Sequence, residues 1–388
     1  MGKFLRQIFW SWRTPLYLLF LLVFGLLLFL LVKEPLAVWG VAPVEMTSLS
    51  GERVKLKPCK PFGSPRVAYC GVHKVYEDRA ANSGRKIPIH FVVSFATSAR
   101  RAADPVFMID GGPGVGKAVI AGFTIGNKKE IEARRDLVFI DVRGTGRSNS
   151  LSCVGLRGSP FSLGTFLSND PRLYLSLLSV QHHLDDSYDQ EKMQACAQHL
   201  QKHADLTKYT STLAAADIDE IRHLLGYHQI NLSGASYGTR LSLEYARRYP
   251  DRVRSMSLTD VVPTSLRMPS TFAQSTERAL DRLIADCVAE ASCNAAYPEL
   301  RQRLQAILAG LEKSPAQFEM KNPLLLGLAS EKVILARGPF AMGIRGMLYD
   351  FESSSRIPYV ISRAADGDFE PIANEIISQS TPLELVLS

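Results

Sequence analysis

Gln229-Ile230-Asn231-Leu232-Ser233-Gly234-Ala235-Ser236-Tyr237-Gly238-Thr239-Arg240 is the stretch whose reading decides the fold. Ile230 and Leu232 alternate as strand residues do, and Leu241, Leu243, Tyr245 and Ala246 follow at once with helical spacing. A strand that turns sharply into a helix leaves Ser236 at the tip. Glycine two places to either side gives the turn its room, because no side chain then separates strand from helix. Ser236 is therefore the candidate nucleophile. The Tyr237 N–H, first in the helix, is the candidate donor to a developing oxyanion. The G-x-S-x-G spacing also occurs in ordinary turns, so the strand–turn–helix context carries the reading.

Upstream, Pro105-Val106-Phe107-Met108-Ile109-Asp110 reads as a strand running into Gly111-Gly112-Pro113-Gly114. Unhindered backbone N–H groups there could complete an oxyanion hole, with Gly112 the best single candidate beside Tyr237; a tight turn serving only packing is the alternative. Residues 111–117 also match G-x-x-x-x-G-K, and Leu137–Asp141 resembles a Walker-B strand, so a phosphate loop is a competing interpretation. Ala118 stands where that loop needs a hydroxyl for Mg²⁺, and the serine turn is left unexplained. Cys196, His199 and His203 share a helix face, but no Glu lies between the histidines as H-E-x-x-H chemistry requires. A solvated face is expected there, and neither a metal nor a cofactor. Asn231-Leu232-Ser233 matches a glycosylation acceptor but falls in an expected buried strand.

Apolar alternations at Val54–Leu56, Val67–Val75 and Ile87–Phe95 read as opening antiparallel strands. Further strands are expected at Leu137–Ile140, Val253–Leu258 and Val261-Val262, with helices at Glu191–His203 and Leu213–Leu225. Strands alternating with helices imply the α/β class, a mostly parallel sheet with helices on both faces. From Thr264 the pattern becomes helical and amphipathic, and Leu383–Leu387 looks like one more strand. The domain reading is residues 1–33 as cytoplasmic tail and anchor, 34–50 linker, 51–263 core, 264–381 helical lid, and 382–388 the start of a further core strand.

The anchor rests on 14–32, a stretch without charge that as a helix spans about 28 Å, near the hydrocarbon thickness. Lys3, Arg6 and Arg13 precede it without an acid, so the N-terminus stays cytoplasmic and the bulk of the chain is exported; cleavage as a signal peptide is the alternative. Six cysteines suit an oxidising compartment. They allow about 15 pairings, and nearness suggests Cys59–Cys70, Cys287–Cys293 and, by remainder, Cys153–Cys196. Net charge is +7, but 45 basic residues are dispersed among 38 acidic ones with no basic block, which argues against a nucleic-acid partner.

Asp110-Gly111-Gly112-Pro113-Gly114, Asp141-Val142-Arg143-Gly144-Thr145-Gly146-Arg147-Ser148, Gly234-Ala235-Ser236-Tyr237-Gly238-Thr239-Arg240 and Tyr249-Pro250-Asp251-Arg252-Val253 stand in the order seen in α/β-hydrolases. Together they resemble the prolyl aminopeptidase and tripeptidyl aminopeptidase-like branch, as do Tyr209-Thr210-Ser211, Leu225-Gly226-Tyr227 and the spacing of Cys287 and Cys293. The resemblance covers residues 50 to 388. It implies an α/β-hydrolase fold with a helical lid, and hydrolysis of an amide or ester, as an aminopeptidase that releases residues from a peptide's free N-terminus through an acyl-enzyme on Ser236. It gives Asp141 and Arg143 a structural role. The position before Gly111, often His in prolyl aminopeptidases, is Asp110 here, which weakens strict proline specificity. The triad of this fold runs Ser, then acid, then His. All eight histidines, His73, His90, His182, His183, His199, His203, His223 and His228, precede Ser236. The sequence reading is therefore a C-terminally incomplete hydrolase with no triad acid or base, or else a membrane-anchored inactive peptide-binding protein.

Overall fold

The computed structural model describes residues 38–152, 179–184 and 190–380. The expected anchor 14–32, Cys153 and the expected strand 383–387 lie outside the described residues. Eight strands form one sheet in the order β1-β2-β3-β4-β6-β5-β7-β8: β1 Val44–Thr47, β2 Arg53–Cys59, β3 Ala68–Tyr76, β4 Lys86–Ser94, β5 Val106–Ile109, β6 Leu137–Ile140, β7 Ile230–Ala235 and β8 Val253–Thr259. The first four are antiparallel, β4 pairs antiparallel with β6, and β6, β5, β7 and β8 run parallel. All four residues of β6 are buried, as a strand covered on both faces requires. Val138 and Ile140 join Ile89, Phe91 and Phe107 in one core, while Leu137 and Phe139 join Val92 and Ile125 in the other.

The helices that precede β8 are α1 Lys129–Arg134, α2 Val180–Leu184, α3 Gln190–Gln201, α4 Ser211–Leu224 and α5 Tyr237–Arg248. The Thr210 hydroxyl caps α4 by accepting from the Leu213 N–H. The chain leaves β5 for β6 on one side and leaves β7 for β8 on the other. The crevice where strand order reverses therefore opens beyond the C-terminal ends of β5 and β7, where open α/β sheets bind ligands.

The second layer holds α6 Phe272–Ala289, α7 Ala291–Ala296, α8 Leu300–Lys313, a hairpin of β9 Ala316–Lys321 and β10 Ser330–Leu335, then α9 Arg337–Met347, α10 Phe351–Ser355, α11 Ile357–Ala365 and α12 Glu370–Ser380. Here the structure departs from the sequence reading. The lid is not all helix, because Phe318 and Met320 alternate inward and pair across to β10. Val180 and Leu184 of α2 belong to the lid core, tied to β10 by Glu331, which accepts from the Ser179 hydroxyl and the Val180 N–H. The expected linker contains β1, whose Met46 packs against the main core. Val261-Val262 is not a strand, because Asp260 turns left-handed at φ 55° and ends β8. Cys59–Cys70 and Cys287–Cys293 are bonded as nearness suggested. Cys196 is also disulfide-bonded.

Candidate active site

Ser236 sits between β7 and α5 at φ 50°, ψ −122°, a region that side chains avoid. The turn is over-determined: the Ser236 N–H donates to Thr259 O at 3.0 Å, and the Thr239 N–H and hydroxyl both donate to Ser236 O, at 2.9 and 2.6 Å. The side chain is exposed and caps nothing. The glycines meet the close approach expected of them. A Cβ on Gly234 would stand 2.7 Å from both Gly238 O and Ser242 Oγ, and one on Gly238 would strike Ile109 O and Asp110 O. Gly111, which sequence reasoning passed over in favour of Gly112, lies against the nucleophile: a Cβ there would be 2.9 Å from Ser236 Cβ. Gly112 is exposed at φ 108°, and Tyr237 opens α5. Beside them is a cleft of about 370 Å³ whose lining includes Gly111, Val142, Gly144, Leu151, Tyr209 and Tyr237.

Residues 104–295 match the family described as the α/β hydrolase fold. This chain has the α/β-hydrolase fold. It is 27% identical over 256 residues to the serine protease Hip1 of Mycobacterium tuberculosis, covering 63% of this chain and 46% of that protein. It is 26% identical over 213 residues to the tripeptidyl aminopeptidase of Streptomyces lividans, covering 52% and 36%. The matches thus span less than half the length of these relatives. The solved proline iminopeptidase of Mycobacterium smegmatis aligns at 19% identity over 60% of each chain with a TM-score of 0.31. The chain resembles serine peptidases.

Residues of the competing phosphate-loop reading are committed elsewhere. Asp110 accepts from the Gly111 N–H at 2.9 Å and from Lys117 Nζ at 2.7 Å. The Ala118 and Val119 N–H groups donate to Asp141 Oδ1 at 2.8 and 3.2 Å, so the lysine of that loop and the amides that follow it are taken. Burial pushes the Asp141 carboxyl above its ordinary value, against those bonds and one from the Arg147 N–H. Arg143 is buried and forks onto Asp217 at 2.6 and 2.8 Å, while its third nitrogen donates to Glu77 O and Lys208 O. Glu77 in turn accepts from the Tyr209 hydroxyl at 2.7 Å, and burial pushes that phenol up. The Asp-x-Arg-Gly segment thus builds the cleft wall, a role the sequence suggested only through the resemblance.

No histidine among the described residues hydrogen-bonds Ser236. His73 Nε2 pairs with Glu220 at 3.1 Å, and the His199 and His203 rings pack edge to face at 5.3 Å. His90 lies in β4, its pKa lowered by burial and by the charge of Arg147. Asn231 is buried, its amide donating to Asp104 O and its oxygen accepting from the Ser255 hydroxyl, so it offers no glycosylation acceptor. Asp260, between the two strand pieces expected from sequence, follows Thr259, whose carbonyl holds the β7–Ser236–α5 turn, the nucleophile elbow.

Proposed function

We propose that this protein is a membrane-anchored, exported serine hydrolase that cleaves amide or ester bonds near the free N-termini of peptides. Ser236 Oγ attacks the scissile carbonyl, the leaving amine departs with a proton, and water releases the acyl group. The N–H groups of Tyr237 and Gly112 hold the oxyanion in this reading, each such donor being worth about 2.7–4 kcal/mol in the transition state. The observation that carries this reading is the strained, exposed Ser236 held between Thr259 and Thr239 at the switch point of the sheet. Similarity to a serine protease and a tripeptidyl aminopeptidase supports the peptide class. No cofactor enters the reaction. The uncharged stretch 14–32 would supply the anchor, and the disulfides suit an oxidising exterior.

A fluorophosphonate probe tests the nucleophile: a single adduct on Ser236, absent from Ser236→Ala, is the expected result. The second reading, an inactive peptide-binding protein, is favoured by the lack of any described histidine bonded to Ser236. Without a base, the hydroxyl is barely nucleophilic at neutral pH. Peptide binding by a chain that the probe fails to label would establish that alternative.

A further inference from the structure

The β9–β10 hairpin ends in Asn322-Pro323-Leu324-Leu325-Leu326-Gly327-Leu328-Ala329-Ser330, which carries no charged side chain. Leu324 packs against the lid core, but Leu326 and Leu328 are 88% and 86% exposed. Leu326 also holds a left-handed backbone at φ 54°, where glycine or asparagine would cost less. Packing within the described chain therefore explains neither side chain, and both would gain from an apolar cover.

The backbone of this tip is already prepared to leave water. The side-chain oxygen of buried Asn322 accepts from the Leu324 and Leu325 N–H groups at 2.9 and 3.3 Å, and its carbonyl accepts from the Gly327 N–H at 2.9 Å. The Leu326 N–H donates to Pro323 O, the Leu328 N–H to Leu325 O and the Asn322 N–H to Ala329 O, at 3.1, 3.0 and 2.8 Å. Pro323 has no N–H, so every amide hydrogen from residue 322 to 328 is bonded within the loop. Such a tip can enter a lipid surface without stranding a donor. Just behind it, Lys321 and Lys332 are exposed on the outward face of the hairpin and form no ion pair among the described residues. With Glu319 in register opposite Lys332, this collar keeps a net positive charge.

The uncharged stretch ends at Val32 and β1 begins at Val44, so a tether of at most about 40 Å would hold the folded domain at the bilayer that residues 14–32 enter. We infer that the β9–β10 tip docks on this bilayer: Leu326 and Leu328 enter the boundary between headgroups and acyl chains, and Lys321 and Lys332 face anionic phosphates. This rests on the membrane-anchored reading and goes beyond it, because the lid becomes a second membrane contact.

The test uses the full chain with Leu326→Cys, or Leu328→Cys as a second probe, labelled with the fluorophore NBD and reconstituted into vesicles of phosphatidylcholine and phosphatidylglycerol. The wild type, whose described cysteines are all disulfide-bonded, is the labelling control. Nitroxide lipids should quench both probes, and a nitroxide high on the acyl chain should quench more than one near its methyl end, since such insertion reaches about 5–10 Å. Vesicles that carry the chain but leave both probes unquenched overturn this inference and spare the anchor. Blue-shifted emission without lipid quenching means that protein, such as a second copy, covers the tip, and overturns it as well. A chain that floats with vesicles but is lost from them in the double variant Leu326→Ser, Leu328→Ser keeps this inference and refutes the anchor. A chain that never floats with vesicles overturns both.

Discussion

Ser236 holds its backbone at φ 50°, where a side chain costs about 1–3 kcal/mol. Glycine carries no such penalty, so Ser236→Gly should raise thermal stability by about 1 kcal/mol while eliminating phosphonate capture. A melting curve that instead falls would mean that the hydroxyl, not the backbone, is what the fold requires. Glu220 shows the opposite economy. Burial alone would raise its carboxyl pKa, but hydrogen bonds from His73 and Arg79 outweigh that and hold it at about 2. A carboxylate depressed on folding stabilises the protein above its unfolded pKa of about 4.3 and loses that contribution as pH falls through its folded value. Glu220→Gln should therefore narrow the drop in melting temperature between pH 5 and pH 2. The effect should be small, since the side chain is 42% exposed and water screens it. Equal drops in both proteins would remove Glu220 from the acid response.

At the scale of elements, β5 and the β7–α5 turn act as one piece, because Gly111 and Gly238 are points where backbone meets backbone or nucleophile. Gly111→Ala would place a methyl 2.9 Å from Ser236 Cβ. Overpacking of this kind costs about 1–3 kcal/mol, and capture of Ser236 should slow by at least ~10-fold. A variant that labels at the wild-type rate would show that the turn can yield. The elbow was legible in the sequence because a two-residue strand period, a glycine pair and a helical period abut within one short stretch. The partners of Arg143 were not, since Asp217 lies 74 positions away in α4 and nothing local marks it as an acceptor. The β9–β10 hairpin was lost for a related reason. Its inward Phe318 and Met320 are too few to stand out between long amphipathic helices, and only pairing with β10 fixes their period. Asp260 was hidden because Val261-Val262 prolongs the apolar run of β8 in sequence, whereas the left-handed turn at Asp260 ends it in space.

For the whole molecule, burial falls into separate cores. Phe107, Phe91 and Tyr245 belong to the sheet core, and Phe340, Met347 and Ile361 belong to the lid core, with no residue common to both. The lid core also recruits Val180 and Leu184 from a segment that precedes the elbow, so the lid is held to the chain at two places and not only through the connection after β8. Arg240 in α5 reaches that connection, donating to Pro263 O and Leu266 O. Cores that share no side chains lose stability separately when one is damaged, because a cavity is felt by the atoms that line it. Phe340→Ala, at a fully buried position, should cost the lid about 3–5 kcal/mol and shift one calorimetric transition while sparing the other. Phe107→Ala should do the reverse. A single transition displaced equally by both substitutions would mean that the two contacts through α2 and Arg240 couple lid and sheet into one cooperative unit, so that the lid could open only by straining the sheet that carries Ser236.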